Sequence, residues 1–233
     1  MVTASLTAIP AIANTDIIVF AKAPQSGFAK TRLIPALGAS GAAQLALTML
    51  NHAVGEAVKS QLGAVVIATT PIQHHPAFIA LANQFALDLI DQGSGDLGQR
   101  MQSAFDWIWQ KDSLGLKDTA ATATSSAAKT ITKQSKQILL MGSDIPAIDS
   151  TMLRKAAYAL QSHDAVFIPT FDGGYALVGL KAPQPDLLLN MQWSNPAVMQ
   201  TTRARADALG LKYHELALVH DIDDPADLKY CPF

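Results

Sequence analysis

The sequence predicts a three-layer α/β/α sandwich around a mostly parallel sheet, and three observations carry that prediction. Short apolar runs without alternation, such as IIVF at 17–20, VVIA at 65–68, ILLM at 138–141 and AVFI at 165–168, read as strands covered on both faces. Between them lie segments with apolar residues at helical spacing, and polar stretches with Gly and Pro follow the runs. At 233 residues and 49% apolar content, the chain can bury one core of ordinary size.

The first fifteen residues are expected to be a loose arm, and 16–233 a single domain. DIIVFA at 16–21 is the first strand. The stretch KAPQSGFAKTRL that follows is too broken by Pro24, Gly27 and Pro35 to be a helix, so it reads as a loop at the carboxyl end of that strand. It carries Lys22, Lys30 and Arg32. Three cations and free backbone N–H groups there can cradle a di- or triphosphate, and they equally describe a solvated basic loop. The glycine spacings of a Walker A loop and of G-x-G-x-x-G are both missing. Ser40 can cap a helix running to about 60 through Ala43, Leu47, Leu50 and Val54. A strand at 65–68, a short helix at 76–85 and a strand at 87–90 come next. His74 and His75 are adjacent with no third ligand at useful spacing, which favours a helix-start or surface role over a metal site.

DQGSGDLGQRM at 91–101 places three glycines before a helix through Phe105, Trp107, Ile108 and Trp109. Asp96 and Arg100 there either meet a ligand, to which Gly95 would allow close approach, or cap the helix and face water. Residues 112–136 hold almost nothing large and apolar, so a flexible insertion is expected. QILLMGSDIP at 137–146 is the most informative stretch. Its strand ends at Gly142 and hands Asp144 to the edge where open α/β sheets bind ligands. A carboxylate there suits Mg2+ or Mn2+ carrying phosphates, or is a turn residue. A helix from Ser150 or Thr151 to Leu160 and a strand at 165–169 follow. Asp172-Gly173-Gly174 has the form of a hairpin turn into the next strand. A helix at 196–209 and a strand at 211–216 lead to HDIDDPADL at 220–228, whose Asp221, Asp223, Asp224 and Asp227 exceed what capping a Pro-initiated helix requires.

Composition excludes some classes. With 17 basic and 19 acidic side chains, the net charge of −2 gives no field for nucleic acid or an anionic membrane. No 18-residue run is uniformly apolar, so no membrane span is expected. One cysteine, Cys231, rules out an internal disulfide framework and fits a reducing, cytoplasmic setting.

In order, between residues 17 and 228, FAKAPQSGFAKTRL, GSGDLGQRM, GSDIPAI, DGGYALVGL, WSNP and DIDDPADL resemble the bacterial radical-SAM/selenodomain-associated transferases. The fold of that family is that of the nucleotide-diphospho-sugar transferases (GT-A). The basic first loop, the strand-end aspartate and the terminal D-x-D-x-P-x-D-L are also similar to guanylyltransferases and sugar-acid cytidylyltransferases. The resemblance implies that Lys22, Gly27, Lys30 and Arg32 hold nucleotide phosphates, with Lys30 and Arg32 neutralising the leaving group. It implies that Asp144 and Asp223 bind one Mg2+ or Mn2+, with Asp221 the alternative second ligand. Gly95, Asp96 and Arg100 would lie near the base or ribose. Asp172 as base, with Gly173 and Tyr175, would face the acceptor. The implied activity is metal-dependent glycosyl transfer from a nucleotide-diphospho-sugar to a small-molecule acceptor. The alternatives are nucleotidyl transfer from a nucleoside triphosphate to a phosphorylated small molecule, and nucleotide binding without catalysis. Carboxylates converging on an empty metal site repel one another, so Asn at 144 or 223 is expected not to cost stability without metal.

Overall fold

The computed structural model describes residues 14–113 and 136–233; the expected arm over 1–15 and insertion over 112–136 lie outside these, apart from their innermost positions. Among the described residues, seven strands form one sheet: β1 (Thr15–Lys22), β2 (Val65–Thr70), β3 (Asp88–Asp91), β4 (Gln137–Gly142), β5 (Ala165–Pro169), β6 (Tyr175–Leu180) and β7 (Tyr213–Glu215). Their order is β3-β2-β1-β4-β6-β5-β7. Only β6 runs against its neighbours: it pairs antiparallel with β4 and with β5, and every other pairing is parallel. This is the expected α/β fold with a mostly parallel sheet.

Alternation along the strands explains the two helical layers. Ile17, Val19, Ile67, Leu139 and Met141 point to one face and pack against α1 (Ile34–Ser60), α2 (Pro76–Phe85) and α4 (Ser150–Ala159). Ile18, Val66, Ile138, Leu140 and Val178 point to the other face. There they meet Met101, Phe105 and Ile108 of α3 (Leu97–Ser113), with α5 (Pro185–Leu188) and α6 (Val198–Ala208) beside them. Both faces being covered is why the strand sequences are continuous apolar runs.

Several expectations need correction. The basic stretch does not remain a loop: Thr31–Leu33 forms a 3-10 turn that runs into α1 at Ile34, not at Ser40. Gly38, with φ +70° and ψ 164°, breaks that helix, and the part after it matches the predicted one. Pro35 stands in the first turn, where its missing N–H is not needed. By length and composition the helical stretch Thr31–Ser60 could span a membrane, at a mean hydropathy of 1.5. It packs Leu50, Ala53, Val54 and Ala57 into the core instead, and it is kinked. The last strand is only Tyr213–Glu215, and Pro225–Tyr230 is 3-10 rather than α. His75 caps α2, its Nδ1 accepting from the backbone N–H of Ala77 at 3.3 Å.

Candidate functional site

The carboxyl ends of β1, β4 and β5 define the site. Asp144 follows Gly142 at the end of β4, half-buried. The C-terminal segment reaches it through one backbone bond: the N–H of Ile222 donates to the Asp144 carbonyl at 3.1 Å. Ile222 is fully buried, and its neighbours Asp221 and Asp223 are half-buried beside it. Two more backbone bonds, Val219 N–H to Pro169 carbonyl at 3.1 Å and Phe171 N–H to Val219 carbonyl at 3.2 Å, align the same segment with the end of β5. That brings Asp221 beside Asp172, which sits at the tip of the predicted β5–β6 hairpin.

Lys30 stands at the centre. Its Nζ lies 2.8 Å from Asp144 Oδ2 and 3.4 Å from Asp223 Oδ1, with only 11% of its side chain exposed. Burial works against its charge, but the two carboxylates outweigh burial and hold the ammonium above its ordinary pKa. Arg32, far more exposed, makes a close ion pair with Asp223 Oδ2. Asp144 and Asp223 therefore do converge, as the sequence suggested, and an ammonium lies between them. The expected cost-free removal of either carboxylate does not survive this geometry, because each now has a cation to lose. Among the described residues no group of three or more His, Cys, Asp or Glu side chains is arranged to hold a metal ion; here two carboxylates flank an ammonium. Asp221 carries the unrelieved repulsion: its carboxyl is pushed up to about 6, by burial and then by Asp172, Asp144 and Asp223.

Two cavities meet at Asp144. The larger, about 440 Å³, is lined by Lys22, Lys30, Arg32 and Arg100 with Gln92, Ser143 and Asp223. The smaller, about 280 Å³, holds Asp172 and Asp221 beside Tyr175, Trp193 and Asn195, and among the described residues no Lys or Arg lines it. One compartment is cationic and the other acidic and aromatic.

The remaining predicted residues are scattered. Asp96 is exposed and closes a reciprocal cap on α3, accepting from the Gln99 N–H at 2.9 Å while Gln99 Oε1 accepts from the Asp96 N–H at 2.9 Å. Neither Asp96 nor Gly95 lines the cavities; Arg100 does. Gly27, at φ +82°, shapes the turn before Lys30. Gly173, at φ +90°, lies so close to Pro196 that a Cβ would come within 2.0 Å of its carbonyl oxygen, so it seats the hairpin on that loop. Asp172 Oδ1 accepts from the Thr170 hydroxyl at 2.5 Å and the Gly174 N–H at 3.0 Å. Sequence reasoning passed over Gln92, Trp193 and Asn195. WSNP signalled the last two as a motif, while nothing local marks Gln92.

Residues 53–195 match the family model described as "Uncharacterized protein conserved in bacteria (DUF2064)". Phosphoenolpyruvate guanylyltransferase from Mycolicibacterium gilvum (strain PYR-GCK) is 25% identical over 140 residues, covering 60% of this chain and 56% of the relative. The match thus spans little more than half of that protein. Among solved structures, a candidate nucleotide-diphospho-sugar transferase from Desulfovibrio desulfuricans G20 is similar at a TM-score of 0.73 and 26% identity, covering 91% of this chain and 83% of that one. CMP:2-keto-3-deoxy-manno-octonic acid synthetase, solved with CTP, shares the fold at a TM-score of 0.51 and 11% identity, over 94% of this chain and 96% of its own. These relatives and neighbours are transferases.

Proposed function

We propose that this chain, which belongs to the bacterial DUF2064 family, transfers a group from a nucleotide that carries a di- or triphosphate, with a nucleotide-diphospho-sugar as the leading donor. One observation carries the reading: the cationic and the acidic, aromatic cavity adjoin at Asp144. Lys22, Lys30, Arg32 and Arg100 would take the nucleotide phosphates, where anions are best held by several fixed cations. The smaller cavity suits a neutral polyhydroxyl group, since carboxylates accept hydroxyl hydrogen bonds and aromatic rings cover an apolar sugar face. A sugar joined to a nucleotide diphosphate would lie across the junction. Lys30 and Arg32 would offset charge on the departing diphosphate, and Asp172 would accept the proton of the acceptor hydroxyl.

A divalent ion would be held by the carboxylate oxygens of Asp144 with Asp223, or with Asp221; bound there, Mg2+ or Mn2+ would neutralise diphosphate charge. Lys30 would then leave the carboxylates for a phosphate oxygen. A second reading, nucleotidyl transfer from a nucleoside triphosphate, is favoured by the number of cations in the larger cavity and by the name of the guanylyltransferase relative. The two separate by product. Incubation with nucleotide-sugars and with nucleoside triphosphates in the presence of Mn2+ should give nucleoside diphosphate and free sugar in the first case and pyrophosphate in the second. Neither product, over a broad panel of acceptors, would reject both.

A further inference from the structure

Gln92 follows β3 and lines the larger cavity while only 3% exposed. Its amide nitrogen donates to the Ala68 carbonyl at 2.8 Å and the Ala21 carbonyl at 3.3 Å, bridging β2 and β1 beneath the cavity. Carbonyls only accept, so the nitrogen must face them and the amide oxygen must face the other way. That oxygen accepts from Arg100 Nη1 at 3.1 Å. The guanidinium is thus gripped at one nitrogen. Arg100 Nε is buried with no acceptor, and no hydrogen bond among the described residues occupies Nη2. A buried donor without a partner is costly, and Arg100, partly exposed and lining the larger cavity, can turn this edge toward an acceptor that fills it.

We infer that Gln92 positions Arg100 so that the Nε/Nη2 edge of its guanidinium serves as a two-pronged donor to a pair of coplanar acceptors on the bound nucleotide. This rests on the reading of the larger cavity as the nucleotide pocket. Two parts of a nucleotide offer such a pair: two oxygens of one phosphate, and O6 with N7 of guanine. Lysine keeps the charge but has no planar fork, so it cannot make this contact. Gln92 acts through Arg100 and is a positioning residue.

The test measures dissociation constants of the wild type, Arg100→Lys and Gln92→Met for GTP, ATP, CTP, UTP and inorganic tripolyphosphate, each with Mg2+, by calorimetry on protein shown to be folded by circular dichroism. Arg100→Lys should bind roughly tenfold or more weakly, as expected for loss of a charge-assisted bidentate contact. Gln92→Met keeps the arginine and frees it, so a weakening of several fold in the same ligands is expected; a purely structural glutamine would lower the melting temperature and leave these constants alone. Loss across all five probes identifies phosphate as the acceptor pair, and loss confined to GTP identifies the guanine edge. Undiminished affinity of Arg100→Lys for every probe would overturn the inference. Arg100→Lys keeps the charge on a partly exposed side chain and decides the matter even where Gln92→Met does not fold. A wild type that binds none of the five would overturn the functional reading, and this inference with it.

Discussion

Lys30 holds together two carboxylates that would otherwise repel, and its loss should be felt in stability as well as in binding. Lys30→Met leaves Asp144 without its ammonium and Asp223 with Arg32 alone. A partly buried carboxylate stripped of its partner costs roughly 1–3 kcal/mol. In a chain of this size that is about 2–4 °C of melting temperature per kcal/mol. Arg32→Ala should behave differently, because an exposed pair contributes under about 1 kcal/mol. Both variants should weaken nucleotide binding, while calorimetric melts without ligand should separate them. A Lys30→Met melt equal to the wild type would show that the carboxylates do not need the ammonium. At this scale the sequence was readable where chemistry announces itself locally. Asp144 follows an apolar run and a glycine, and Asp223 lies in an acid-rich terminal segment. Gln92 was not readable, since its burial comes from how β3 is registered against β2 and from its reach to β1, which no neighbouring residue encodes.

The element that completes the site is the C-terminal segment after β7, and side-chain stacking helps to anchor it. The ring of His220 lies between Phe171 at 4.0 Å and Tyr230 at 3.6 Å between centroids, nearly parallel to both. Phe171 belongs to the hairpin that carries Asp172, so the stack ties Asp172 to Asp221 and Asp223. His220→Ala removes both contacts, each worth about 0.5–1.5 kcal/mol. Amides of 219–231 should then exchange faster while those of β1 and β4 keep their protection, and nucleotide affinity should fall. Unchanged exchange in that segment would assign its anchoring to the backbone bonds alone. Nearby, the Arg203 guanidinium grips Glu215 at 2.7 and 2.8 Å and holds its carboxyl below the usual range. A lowered folded-state pKa gives stability that is present above the ordinary glutamate value and is lost as pH falls below it. Glu215→Gln should therefore cost about 0.5 kcal/mol at neutral pH and almost nothing near pH 3, read from urea titrations at both pH values. Element starts were less readable than element kinds. The helix after the basic stretch begins at Ile34 because Pro35 can occupy a first turn, whereas Pro and Gly in the sequence pointed to a loop.

Over the whole molecule, the sheet order places the ends of β1, β4 and β5 on one edge, with the reversed strand β6 inserted between β4 and β5. The continuous apolar runs made the two-sided sheet legible, and the polar stretches after them pointed to the edge where the candidate site lies. The direction of β6 was legible only through the hairpin signal of Asp172-Gly173-Gly174. The division into a cationic and an acidic compartment was not, because Asp144, Asp172 and Asp221 meet only when the terminal segment returns across the edge. That meeting is the central claim, and thermal melts of the wild type and Asp144→Asn, with a nucleotide-diphospho-sugar or nucleoside triphosphate and with or without Mn2+, test it most directly. Ligand that binds only the folded state raises its stability by an amount set by concentration and affinity. The account predicts a nucleotide-dependent rise in the wild type that Mn2+ enlarges, and in Asp144→Asn a rise that survives in part, through the cations of the larger cavity, but no longer responds to Mn2+. A Mn2+-dependent rise undiminished in Asp144→Asn would contradict it.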